Sequence, residues 1–165
     1  MVLALVAGCG LVDRIAGRRG YVAEDEAMEP TIEKGGHVTS RLTDGEYVPR
    51  RGDVIVFRAP ETWRERGEGG DTLSRVVGVP GSVVECCDSM ERMVVNGESL
   101  EEPYLLGAPA SRTVVEPFTV PDGHVWVLGD NRDSAIDSRS YRTSLGGGAV
   151  PVANVISVVE IEGSR

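Results

Sequence analysis

The apolar residues of this chain come in runs too short to wind a stable helix, and each run stops at glycine, proline or a charged turn. RGDVIVFRAP (51–60), SRVVGVPGSVVE (74–85), MVVNGESL (93–100), HVWVLGD (124–130) and VPVANVISVVEI (150–161) all carry the pattern. Valine dominates them, and β-branched residues in runs of four to eight between turn formers read as strands. Asn96-Gly97 is the strongest local signal, because both residues accept the positive φ that a two-residue hairpin turn demands. With 21 Gly and 9 Pro among 165 residues, the expectation is one all-β domain of several short antiparallel strands.

Strands are expected over 21–27 and 36–42, joined through Pro30 to Gly36, and within 51–60 after a turn. ETWRERGEGGDT, 61–72, reads as a polar loop with Gly69-Gly70 as its flexible point. Two strands follow on either side of Pro80-Gly81. HVWVLGDNRDSAIDSRSY reads as a strand that ends in a charged turn and restarts, and 150–161 as the last strand.

The chain divides into an apolar N-terminal segment, 1–20, and a β domain, 21–165. MVLALVAGCGLV is shorter than the roughly 20 residues that a membrane span requires, and no positive charge precedes it. Three readings stand: the end of a longer membrane anchor, a lipoprotein box with Cys9 as the modified residue, or an apolar segment packed on the domain.

A net charge of −9 repels phosphate backbones, so a nucleic-acid partner is not expected. The three cysteines fit no zinc spacing, and no metal or other cofactor is expected. Adjacent residues on a strand face opposite ways, which makes Cys86 and Cys87 one buried and one exposed thiol, or else a vicinal bridge formed in an oxidising compartment. A calcium loop from Asp130 fails at its sixth position, Ala135, and at its twelfth, Tyr141.

AMEPT (27–31), RGDVIVF (51–57), SRVVGVPG (74–81) and GDNRDSAIDSR (129–139), in this order and spacing, resemble type I signal peptidases. ECCDSMERMVVNGESLEEPYL (85–105) resembles their actinobacterial branch. The resemblance implies a membrane-associated serine protease fold working on the extracytoplasmic face of the cell membrane, cutting signal peptides from exported precursors after small residues. It also implies a Ser/Lys dyad, the serine immediately before Met-x-Pro and the lysine immediately before Arg-Val. Those positions hold Ala27 and Ser74.

A methyl group cannot attack a carbonyl, and a serine hydroxyl does not titrate where a buried amine would act as base. The chain is therefore expected to be catalytically inactive. Family members carry small or hydroxyl residues just before the serine, where this chain has Asp25 and Glu26. A carboxylate aimed at a developing oxyanion would repel it, and altered neighbours favour natural loss of the dyad over a deliberate substitution, the other reading of Ala27. On a strand, Asp25 and Glu26 would face opposite ways and could not share a proton. His37 and His124 read as turn residues rather than bases.

By the same resemblance, Asp25, Met28, Pro30, Arg75, Val76, Asp130, Ser134, Asp137 and Arg139 form or support the substrate groove. Asp137 and Arg139, two apart, would share a face of an extended chain. The leading expectation is a pseudoenzyme that binds signal peptides or exported precursors. Its rivals are an active leader peptidase with substitute catalytic groups, and a non-catalytic subunit partnering a membrane protease or surface-assembly machinery.

Overall fold

The computed structural model describes residues 17–64 and 70–161. The readings placed on residues 1–16, Cys9 among them, lie outside the described residues.

Among the described residues, eleven strands form two antiparallel sheets. β1 (Arg18–Val22), β2 (His37–Leu42), β3 (Val54–Arg58), β4 (Asp71–Gly78), β9 (His124–Leu128), β10 (Val150–Pro151) and β11 (Val155–Val159) make a seven-stranded sheet in the order β1-β2-β11-β3-β4-β9-β10. β5 (Val83–Cys86), β6 (Met93–Val95), β7 (Glu98–Ser99) and β8 (Val115–Thr119) make a four-stranded sheet in the order β7-β6-β5-β8. The all-β class follows from the sequence, and the central strands show why their apolar runs are continuous. In β3, Ile55 and Phe57 enter one core cluster while Val54 and Val56 enter another on the opposite face. β4 divides Val76 and Val77 between two clusters in the same way.

The two sheets meet at Gly78, where a Cβ would lie 2.8 Å from both Val84 Cγ1 and Val120 Cγ2. Glycine is therefore required here for close approach. Asn96 and Gly97 have φ of 54° and 79°, the pair of positive angles that their hairpin turn predicts.

Several boundaries differ from the sequence expectation. β1 ends at Val22, and residues 23–31 form turns instead of continuing the strand. The polar stretch after Pro60 begins with a helical turn, α1 (Glu61–Arg64), and its last two residues already belong to β4. Trp63 anchors that turn, 1% exposed and stacked on Tyr141 with ring centroids 4.5 Å apart. After β9 the chain does not restart as a strand but as a 3-10 turn, Ser138–Tyr141. β8 was not anticipated, because Pro117 interrupts its apolar pattern; the strand lies at a sheet edge, where proline is tolerated. Cys86, the last residue of β5, is buried and Cys87, just past it, is exposed, and the two are joined as a vicinal disulfide, the second of the two readings of the sequence.

Candidate active-site groove

Residues 23–32 turn back on themselves between β1 and β2. Backbone bonds from Glu29 N to Glu26 O (3.1 Å) and from Ile32 N to Met28 O (2.9 Å) define the turn, and Met28, 1% exposed, plugs it into the core. Ala27 sits at its apex. Its carbonyl accepts from Asn131 N at 3.0 Å, which ties the AMEPT turn to the GDNRD loop. Gly129 makes this possible: a Cβ there would stand 2.5 Å from the Ala27 oxygen and 2.4 Å from the Ala135 Cβ.

Three Arg–carboxylate pairs hold the walls. Arg75, on β4, donates through Nε to Asp130 Oδ1 (2.8 Å) and through Nη2 to Oδ2 (2.6 Å), a bidentate pair with Asp130 fully buried. The Thr31 hydroxyl donates to the same carboxylate, and Arg75 Nη1 donates to the Gly52 carbonyl at 2.9 Å. Asp137 accepts from Arg139 Nε (2.8 Å) and Nη2 (2.7 Å), and from Gly129 N (3.1 Å). Arg132 donates to the Gly129 carbonyl (2.8 Å), the Ala110 carbonyl (2.8 Å) and the Glu102 carboxylate. Tyr104 lies under the Arg75 guanidinium, 3.9 Å from ring centroid to Cζ, and donates to Glu102 Oε1 at 2.9 Å. Burial, followed by the Glu102 charge, raises its pKa, so the hydroxyl stays protonated as that donor.

These contacts frame a groove of about 390 Å³. It is lined by the apolar Ala23, Met28, Val56 and Leu73, by the 24–27 turn, and by Asp71, Thr72, Ser134 and Ile136. Of the residues expected from sequence, Asp25, Met28 and Ser134 line the groove. Arg75, Asp130, Asp137 and Arg139 lie in the packed network behind it, Val76 is fully buried in the core, and Pro30 is exposed on the turn.

Ala27 borders the groove, and its side chain is only a methyl group. Ser74 is buried (2% exposed) on β4, paired in register with Ile55, one residue from the groove-lining Leu73. Asp25 and Glu26 lie in a bend rather than on a strand, so strand alternation does not govern their directions. The Asp137–Arg139 pair forms, but through the cap of a 3-10 turn: Asp137 also accepts from the Arg139 backbone N at 3.1 Å. His37 opens β2 beside a different cavity, and the His124 ring contacts the Asp122 carbonyl at 2.8 Å. Neither histidine lines the groove. Arg132, Glu102 and Thr31 are the supports that the sequence reading missed. Arg132 lies inside the GDNRDSAIDSR motif, whereas no local pattern around Glu102 announces its partner 30 residues away.

The antiparallel β scaffold thus carries Ala27 on a turn that borders the groove and Ser74 buried on β4 next to the groove-lining Leu73. These are the two positions at which the resemblance leads to the expectation of a serine and a lysine. The family model described as "Signal peptidase, peptidase S26" matches residues 1–162, and the chain belongs to that family. Signal peptidase I of Mycobacterium tuberculosis is 33% identical over 84% of this chain and 62% of its own length. The probable signal peptidase I-1 of Synechocystis sp. is 33% identical over 84% of this chain and 69% of its own. A crystal structure of a signal peptidase I from Enterococcus faecalis is similar with a TM-score of 0.51 and 32% identity, covering 69% of this chain and 98% of that one. The chain thus spans about three fifths of the length of the mycobacterial relative. Among the described residues, no helix is long and apolar enough to cross a membrane.

Proposed function

We propose that this protein binds signal peptides or exported precursors at the extracytoplasmic face of a membrane and does not cut them. One observation carries the reading: the groove walls are fully braced while residue 27 offers only a methyl group. An extended peptide needs backbone partners and shallow apolar pockets to bind, and neither depends on a nucleophile. Loss of a serine nucleophile in a comparable hydrolase lowers turnover by about 10⁶, so binding outlasts cleavage.

The test is fluorescence anisotropy with a labelled peptide spanning a signal-peptide cleavage site, followed by mass spectrometry of the same mixture after prolonged incubation. The expected result is saturable binding with the peptide intact. A time-dependent product from the unmodified chain, lost on changing Ser134 or Thr72, would establish a peptidase with substitute groups. Absence of binding to any signal-peptide segment would sink the proposal and favour a subunit that uses the fold as a partner surface.

A further inference from the structure

We infer that Asp25 is a third point of departure from a cleaving enzyme, because its carboxylate occupies the backbone N–H of residue 27. This rests on the reading of the groove as a peptide-binding site, and goes beyond it by assigning a block that survives repair of the dyad.

When a serine hydroxyl adds to a peptide carbonyl, its proton passes to the base and negative charge collects on the carbonyl oxygen. Backbone N–H donors meet that oxyanion, and the nucleophile residue's own N–H is a recurrent one. In this chain that N–H donates to Asp25 Oδ1 at 2.9 Å. The carbonyl of the same residue is held by Asn131 N at 3.0 Å, so both backbone polar groups of Ala27 are engaged before a peptide arrives. An incoming carbonyl oxygen would have to displace a charged acceptor tethered only two residues away. Failing that, it would sit beside the carboxylate, whose charge opposes the one that must develop.

The lining of the groove reinforces the block. Glu24, Glu26 and Asp71 also border it, and among the described residues neither lysine nor arginine does. Lys34 approaches only from outside, 3.7 Å from Glu26. The turn does not depend on Asp25 for its shape, since the Glu29–Glu26 and Ile32–Met28 backbone bonds and the Asn131 bond to Ala27 remain without it.

The experiment compares four forms of the whole chain: unmodified, Ala27→Ser with Ser74→Lys, and that pair combined with Asp25→Ala or with Asp25→Asn. Asparagine keeps the acceptor oxygen and removes the charge, so it separates occupation of the N–H from simple repulsion. Single-turnover cleavage of the signal-peptide segment should be about a hundredfold faster with the added Asp25→Ala than in the double variant, the usual worth of one oxyanion donor. The added Asp25→Asn should leave the rate near that of the double variant. In an otherwise unmodified chain, Asp25→Ala should speed exchange of the residue 27 amide proton about tenfold or more, as befits loss of a charge-assisted bond.

Equal rates with and without Asp25→Ala overturn the inference, as does full release of cleavage by Asp25→Asn. So does failure of every variant to cut a peptide that all of them bind. Failure of the unmodified chain to bind the peptide defeats the binding proposal instead, and amide exchange then still decides whether Asp25 holds the N–H.

Discussion

Asp130 has no exposed surface, and both of its oxygens are bonded to Arg75, itself only 6% exposed. Removing one member of a buried pair is far more costly than the pair is stabilising, because the other charge is left without compensation in a medium that solvates it poorly. Asp130→Ala should therefore lower unfolding free energy by about 3–5 kcal/mol, read from urea denaturation. It should also weaken peptide binding, since Thr31 loses its acceptor and the 23–32 turn its tether to β4. At this scale the sequence was informative about residue types and silent about partners. Asp130 and Arg75 both stood in quoted motifs, but 55 positions separate them. The spacing of Asp137 and Arg139 predicts their pairing from extended geometry, whereas the bonds are those of a 3-10 cap.

Among elements, the β6–β7 hairpin shows how a short strand pair is fixed from outside its own turn. Asp88 accepts from the Ser99 hydroxyl (2.6 Å), from Met90 N (2.8 Å) and from Arg92 through both its backbone N (2.9 Å) and its Nε (2.9 Å). The Ser99 bond first, then the Arg92 backbone bond, lower the Asp88 pKa well below the usual carboxylate range. A carboxylate with a depressed folded pKa adds stability that is fully present above its unfolded pKa of about 3.9 and is lost as pH falls through the folded value. Asp88→Asn should accordingly lower the thermal midpoint at pH 6, and the difference from the unmodified chain should shrink as pH drops below about 4. Thermal melts at several pH values check this; a difference that stays constant with pH would refute it. The Asn96-Gly97 turn was legible because its chemistry is local. α1 was not, because only the distant Tyr141 ring and Phe57 make Trp63 a core residue instead of part of a polar loop.

Across the whole molecule, the two sheets share one apolar cluster in which Val77, Trp126 and Leu128 of the larger sheet meet Val84, Met93 and Val95 of the smaller. Gly78 sits at their closest approach, with no room for a methyl group between Val84 and Val120. Gly78→Ala should force the sheets apart and lower unfolding free energy by about 1–3 kcal/mol, the usual cost of overpacking. Chemical denaturation followed by tryptophan fluorescence measures the loss, and near-UV circular dichroism should report a changed Trp126 environment. An unchanged midpoint would mean that the sheets separate there without cost.

By itself the sequence determined the all-β class, the main strands, the hairpin turn and the family, because short valine runs, turn formers and contiguous motifs are all local quantities. It also puts a methyl, at Ala27, and a hydroxyl, at Ser74, where the resemblance leads to the expectation of a Ser/Lys dyad. Only the tertiary structure decided which carboxylate meets which arginine, that Cys86 and Cys87 are bridged, and that Asp25 caps the Ala27 N–H. The Arg75–Asp130 and Arg132–Glu102 pairs depend on remote segments packing together, and the bridge and the Asp25 cap on local backbone directions that the packed fold sets. Hydrogen bonds act over about 3 Å, and no pattern along the chain encodes which groups will come that close.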